Sequence, residues 1–175
     1  MTCIAAIQTP NGILLGADSA VDFGTHTALV DDKLFQCAGM WAGGAGDSLA
    51  IQYVRHTMPV IPPRTRDVLT WAAKNMAPCL LRVRSELVEV DDSIYAEFLF
   101  AHPRQLFLAT IRGEILPCTR GFAAIGSGAE YAMAAIHLLQ ELPIKERMER
   151  AIRTASYFAP GSVQPPVRMQ WVPAK

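Results

Sequence analysis

The chain has 175 residues, 51% hydrophobic and 18% charged, which suits one domain with a sizeable core and excludes a disordered chain. Lys+Arg and Asp+Glu number 16 each, so the formal charge is zero and gives no electrostatic reason to expect nucleic acid or an acidic membrane as a partner. Neutrality also offers little colloidal repulsion, which suits an assembled protein better than a free monomer.

The first seventeen residues are apolar but carry no Lys or Arg, and Thr9-Pro10-Asn11-Gly12 interrupts them with a turn, unlike a signal-peptide core. No apolar stretch approaches the length of a membrane span, so the expected address is the cytoplasm. Cys3, Cys37, Cys79 and Cys118 are scattered without CxxC or zinc-type spacing and read as small buried hydrophobes.

In chain order, residues 3–7 and 13–17 flank the Pro10-Asn11-Gly12 turn as a hairpin. Both runs are apolar on nearly every residue, so they are expected to be buried on both faces. A polar, irregular stretch covers 18–32. Lys33 to Ala42 (KLFQCAGMWA) predicts a strand pair around Ala38-Gly39, and Gly43-Gly44-Ala45-Gly46 predicts a turn into a helix over 49–58, capped by Asp47 or Ser48. A second helical stretch spans 65–90, with Pro78 expected to kink or divide it. Residues 97–101 and 105–111 read as strands, and a turn at Arg112-Gly113-Glu114 leads to Ile115-Leu116-Pro117. Ala132, Ala135, Ile136 and Leu139 mark one face of a helix over 129–142, which Pro143 ends. A helix over 144–157 and a strand over 167–172 close the chain, which reads as one domain, 1–175. Two blocks of strands, each followed by a helical pair, predict stacked α+β layers rather than alternating βαβ units.

Several sites can be set aside. Gly44-Ala45-Gly46 would need Gly or Ala where Leu49 stands, and Gly126-Ser127-Gly128 where Tyr131 stands, to form a dinucleotide fingerprint. Ser127 lacks the upstream Gly of a nucleophile elbow, because Ile125 is there. His26, His56, His102 and His137 form no metal-ligand spacing, so neither metal nor cofactor is expected.

The chemistry concentrates near the start. A threonine at the chain terminus can act as a nucleophile without histidine, because its own α-amine has an ordinary pKa of about 7.7–8.0 and serves as base. Thr2 stands behind a Met1 whose removal is favoured by so small a neighbour. Taken alone, Thr2 signifies only efficient Met removal. Asp18, however, ends the second hairpin strand, and antiparallel return brings that end back beside Thr2. Lys33 begins the next strand; beside the nucleophile it would favour the ionised hydroxyl and the neutral amine, with Asp18 balancing its charge. Read singly, Asp18 is a turn residue and Lys33 a surface one. A backbone N–H of Gly43-Gly44 could stabilise an oxyanion, or these glycines could simply serve a tight connection. Ser127 could bond the terminal amine, or be an ordinary N-cap.

Met-Thr-Cys-Ile at 1–4, Gly16-Ala17-Asp18, Asp32-Lys33-Leu34, Ala42-Gly43-Gly44-Ala45-Gly46-Asp47 and Ala124-Ile125-Gly126-Ser127-Gly128 together resemble the proteasome β-subunit family of N-terminal-nucleophile hydrolases, with the bacterial HslV (ClpQ) type closest. The resemblance spans the whole chain and rests on the order and spacing of short motifs. It implies a four-layer αββα sandwich of two antiparallel sheets, assembled as a homo-oligomeric ring or double ring that cleaves unfolded polypeptide or peptide, with a AAA+ unfoldase as a further partner. Thr2 would be nucleophile and base, Asp18 and Lys33 its electrostatic partners, Gly43 the oxyanion donor, and Ser127 the group orienting the amine. Trp41 and Ala45 would fall at the primary specificity pocket. The loop before Lys33 is one residue shorter than the family pattern, and the late Asp and Ser behind the nucleophile have no clear match in 156–162. Two other readings stand beside the peptidase: a catalytically silent ring-forming scaffold, and a small-molecule amidase of the same class.

Overall fold

The computed structural model describes residues 2–22, 27–29, 33–88, 93–159 and 166–174. In chain order the elements begin with β1 (Ile4–Thr9), β2 (Gly12–Ala17), β3 (Ala20–Asp22), β4 (Thr27–Leu29), β5 (Leu34–Cys37) and β6 (Met40–Gly46). Helices α1 (Ser48–Thr57) and α2 (Val68–Val88) follow, then β7 (Ala96–His102), β8 (Gln105–Thr110), β9 (Ile115–Pro117) and β10 (Phe122–Ile125). The chain closes with α3 (Ala129–Leu138), α4 (Ile144–Phe158) and β11 (Arg168–Pro173).

The strands form a first sheet in the order β10-β1-β2-β11, a second in the order β5-β6-β7-β8-β9, and a small β3-β4 ribbon. All pairings are antiparallel. Alternation along β1 explains the stacking, since successive side chains leave opposite faces. Ala5 and Ile7, with Cys3 just ahead of the strand, pack against Ala132, Ile136, Met148 and Ile152 of α3 and α4. Ile4 and Ala6 face the other way, onto Leu99, Ala101 and Leu106 of the second sheet. On that sheet's far face Phe98, Phe100 and Phe107 pack with Ala50 and Val54 of α1 and Met76 and Leu80 of α2. The result is the expected αββα sandwich, with a central sheet pair buried on both faces. Among the described residues, no helix is long and apolar enough to cross a membrane.

The structure differs from the sequence reading at four places. The glycine-rich run does not turn at Gly43-Gly44; β6 continues to Gly46, because residues 41–46 pair along β7. Its small residues answer to crowding on both faces. A Cβ on Gly43 would lie 2.8 Å from Ile4 Cγ2, and one on Gly44 3.0 Å from Ile51. Pro78 does not divide α2, whose buried stripe of Ala72, Met76, Leu80, Val83 and Leu87 runs through it. That apolar face, largely immersed in the core, outweighs the one helical hydrogen bond that proline removes. Helix α3 stops at Leu138, short of the expected 142. Finally, β3 and β4 lie in a stretch read as irregular.

Candidate active site

The β1–β2 register pairs Thr9 with Gly12 and Ile4 with Ala17, so Asp18 emerges directly opposite Cys3. Its main-chain N–H donates to the Cys3 carbonyl at 3.1 Å. Both of its carboxylate oxygens are engaged: Oδ1 accepts the Cys3 N–H at 2.6 Å, and Oδ2 accepts the Ala20 N–H at 2.9 Å and Lys33 Nζ at 2.7 Å. Lys33 immediately precedes β5, and its Nζ also donates to Thr2 Oγ1 at 3.2 Å. The Lys33 and Asp18 side chains are only 7% and 0% exposed, so the ion pair is nearly dry. Burial pulls the Lys33 pKa below the ordinary lysine value, and the Asp18 carboxylate opposes that pull. The result is an ammonium group held against a threonine hydroxyl by a carboxylate that is itself fixed by two main-chain donors.

The other edge of β1 brings the second half of the site. Ile4 pairs with Ile125 of β10, which sets the Gly126-Ser127-Gly128 turn alongside Thr2. The Thr2 carbonyl accepts the Gly128 N–H at 3.4 Å and Ser127 Oγ at 3.5 Å. Gly126 has φ +85°, and any Cβ there would collide with the Thr2 carbonyl, so this turn needs glycine on two counts. Ser127 is not a helix cap: Gly128 holds that position, without a side-chain bond. Its exposed hydroxyl points instead at the carbonyl oxygen of Thr2. Cys3 is not a rival nucleophile, because burial pushes its thiol up to about 12.

Thr2, Gly126 and Ser127 from the first sheet's end, and Ala45, Gly46, Tyr95 and Glu97 from the second, line a cleft of about 430 Å³. Ala45 therefore lines the same cleft as Thr2. Trp41 does not line this cleft. It lies four residues away on β6, about 13 Å along an extended strand, and packs against the core between the sheets.

Gly43 also requires correction. The Asp47 N–H donates to the Tyr95 carbonyl, which fixes the alternation of the β6–β7 ladder. Residues 41, 43 and 45 then bond toward β7, and the Gly43 N–H is directed to Leu99 rather than to the cleft. The amides of Gly44 and Gly46 face the opposite side. Strand β5 begins at Leu34, opposite Gly43, and this pairing directs the Gly44 N–H to the Lys33 carbonyl, while Gly46 lies beyond the β5 pairing and lines the cleft.

Glu97 and Tyr95 were not singled out in the sequence. Glu97 Oε1 accepts the Gly126 N–H at 2.7 Å and so braces the turn that holds the Thr2 carbonyl. A charged residue in phase with the inward Leu99 and Ala101 of an otherwise apolar strand was the available signal. Of the serines considered for late support, Ser156 donates to the Arg153 carbonyl within α4. Met1, Asp32 and Ser162 lie outside the described residues.

No family model matches the sequence, and no curated protein does. Solved structures do match. The Thiobacillus denitrificans BPH in complex with epoxomicin aligns at TM-score 0.74 and 17% identity, over 99% of each chain. The eukaryotic HslV from Trypanosoma brucei aligns at TM-score 0.67 and 17% identity, over 97% of this chain and 98% of that one. Anbu, an ancestral β-subunit from Yersinia bercovieri, aligns at 0.68 and 18%, over 98% of this chain and 81% of that one. With its αββα layering and these likenesses, the chain has the proteasome β-subunit fold of the N-terminal-nucleophile hydrolases.

Proposed function

We propose that the chain is a threonine-type endopeptidase subunit of a self-compartmentalising ring, with Thr2 as nucleophile once Met1 has been removed. The observation that carries this reading is the Lys33 ammonium shared between the buried Asp18 carboxylate and the Thr2 hydroxyl. A structural ion pair has no need to aim its cation at a hydroxyl near the chain's start, whereas a nucleophile does.

In the reaction, Thr2 Oγ attacks the peptide carbonyl carbon while its proton passes to the free α-amine. Lys33 stabilises the negative charge growing on Oγ, and the carbonyl electrons move to oxygen. The donor for that oxyanion is the β6 amide of Gly46, which is turned away from β7, in place of Gly43. Collapse breaks the C–N bond, the protonated amine returns its proton to the leaving peptide, and an ester to Thr2 remains. Water, deprotonated by the same amine, then hydrolyses the ester. Ser127 and Gly128 fix the Thr2 carbonyl and thereby the direction of its amine. A cytoplasmic homo-oligomeric ring, unfolded polypeptide as substrate and a AAA+ unfoldase as feeder complete the proposal.

The test combines intact mass with labelling by an epoxyketone such as epoxomicin, the compound bound in the similar Thiobacillus structure. Loss of Met1, labelling of wild type and no labelling of Thr2→Ala are expected. Full retention of Met1 with no Thr2-dependent labelling would leave the silent scaffold as the surviving reading. A closed ring by native mass spectrometry favours the peptidase over a small-molecule amidase, because a freely diffusing substrate needs no chamber.

A further inference from the structure

The cleft beside Thr2 carries one feature that the reaction does not use. Its second-sheet wall is chemically biased. Ala45 and Gly46 are too small to fill the space, and the remaining wall consists of Tyr95 and Glu97. Glu97 pairs with Ala45 across the β6–β7 ladder and occupies the same inward series as Leu99 and Ala101, at the open end of the sandwich. Among the described residues it is the only charged side chain lining the cleft. The cation beside Thr2, Lys33, is already matched by Asp18.

The Glu97 carboxylate is also held in place. One oxygen accepts the Gly126 N–H at 2.7 Å, and Tyr95 lines the cleft together with it. A carboxylate accepts about four hydrogen bonds, so the Gly126 N–H leaves acceptor capacity facing the space next to the nucleophile. A fixed, partly dehydrated anion of this kind favours a ligand cation that brings its own donors.

Resting on the reading of Thr2 as nucleophile, we infer that Tyr95 and Glu97 form a subsite for a basic side chain, so that cleavage is directed next to lysine or arginine. The apolar floor at Ala45 accommodates the methylene stem, while the charged head reaches the carboxylate. An acidic side chain at the same position meets like charge and is rejected.

The experiment uses the full mature protein and three fluorogenic peptides differing only at the residue before the scissile bond: arginine, its neutral isostere citrulline, and glutamate. Wild type is expected to favour arginine over citrulline by about tenfold in kcat/KM, the order expected of one charge-assisted hydrogen bond. It should favour arginine over glutamate by more. Glu97→Gln retains an acceptor for the Gly126 N–H and removes the charge, so the arginine-to-citrulline ratio should fall to near unity. The melting temperature and Thr2 labelling of that variant report whether the turn is intact. Equal use of arginine and citrulline peptides by a wild type that labels at Thr2 overturns the subsite and leaves the peptidase reading standing. A ratio that survives in Glu97→Gln overturns it as well. Absence of both labelling and cleavage overturns the peptidase reading itself, and the subsite with it.

Discussion

Lys33→Met removes the ammonium group and keeps much of the stem, so it separates charge from packing. Lys33 Nζ lies 2.7 Å from Asp18 Oδ2, with side chains 7% and 0% exposed. At an effective dielectric of about 20 the attraction at that distance is about 6 kcal/mol. Dehydrating two charges takes back much of it, and removing one partner of a buried pair ordinarily costs about 3–5 kcal/mol. Asp18 keeps the Cys3 and Ala20 N–H groups in the variant, which places the cost at the lower end, about 3 kcal/mol. For a chain of 175 residues this corresponds to a melting temperature about 6–12 °C lower. Activity should fall much further than stability, because the same group neutralises charge on Oγ in the transition state. A drop of at least about 10³ in kcat is expected, comparable to loss of a principal electrostatic donor. Calorimetry and peptide hydrolysis, measured well below the variant's own transition, keep the two effects apart. A melting temperature within about 2 °C of wild type, or activity within tenfold, would refute the argument that a dry Asp18–Lys33 pair polarises Thr2.

The pH dependence has opposite signs for activity and stability. Burial depresses the folded-state pKa of Lys33 below its ordinary value of 10.5, so between the two values the unfolded chain binds more protons. Stability contributed by this group therefore rises with pH across that window, because the neutral amine sheds the dehydration cost yet still donates to Asp18, which methionine cannot do; activity falls as the ammonium is lost. The rising limb of activity should follow the α-amine, at about pH 8. Parallel pH–rate and pH–denaturation curves check this, and Lys33→Met should abolish the alkaline gain in stability. Gly128→Ala should be costly for a steric reason: its Cβ would lie 2.8 Å from the Cys3 Cβ and 2.9 Å from the Ala155 Cβ, atoms that cannot rotate away. The expected loss is about 1–3 kcal/mol by denaturant titration, with reduced hydrolysis because β1 must shift.

How far the site could be read in advance depended on how local each contact is. The meeting of Thr2 and Asp18 follows from counting back along a hairpin closed at Pro10-Asn11, and the register bears that counting out. Lys33 is separated from β2 by a stretch without usable periodicity, so only the motif order pointed to it. Ser127 reaches Thr2 through a pairing of β10 with β1, whose partners are more than a hundred residues apart. Periodicity carries no information about such a pairing. Gly43 and Trp41 failed for one shared reason. Glycines suggested a turn, but crowding from Ile4 and Ile51 demanded small residues inside a continuing strand. Once the strand continues, period-2 alternation turns the Gly43 amide to β7, and the extended rise carries Trp41 about 13 Å from Ala45 on the same face, beyond the cleft.

The two clamps on the first residues have a consequence for when the site exists at all. The Cys3 amide is held by Asp18 at the end of β2, and the Thr2 carbonyl by Gly128 at the start of α3. The segments that must converge are thus the beginning of the chain and a turn made only after some 125 further residues have emerged. A partly synthesised chain possesses the threonine, the aspartate and the lysine, yet lacks the piece that aims them. Assembly of the site is therefore a late event in the life of the polypeptide, tied to the pairing of β10 with β1 rather than to the arrival of any single side chain.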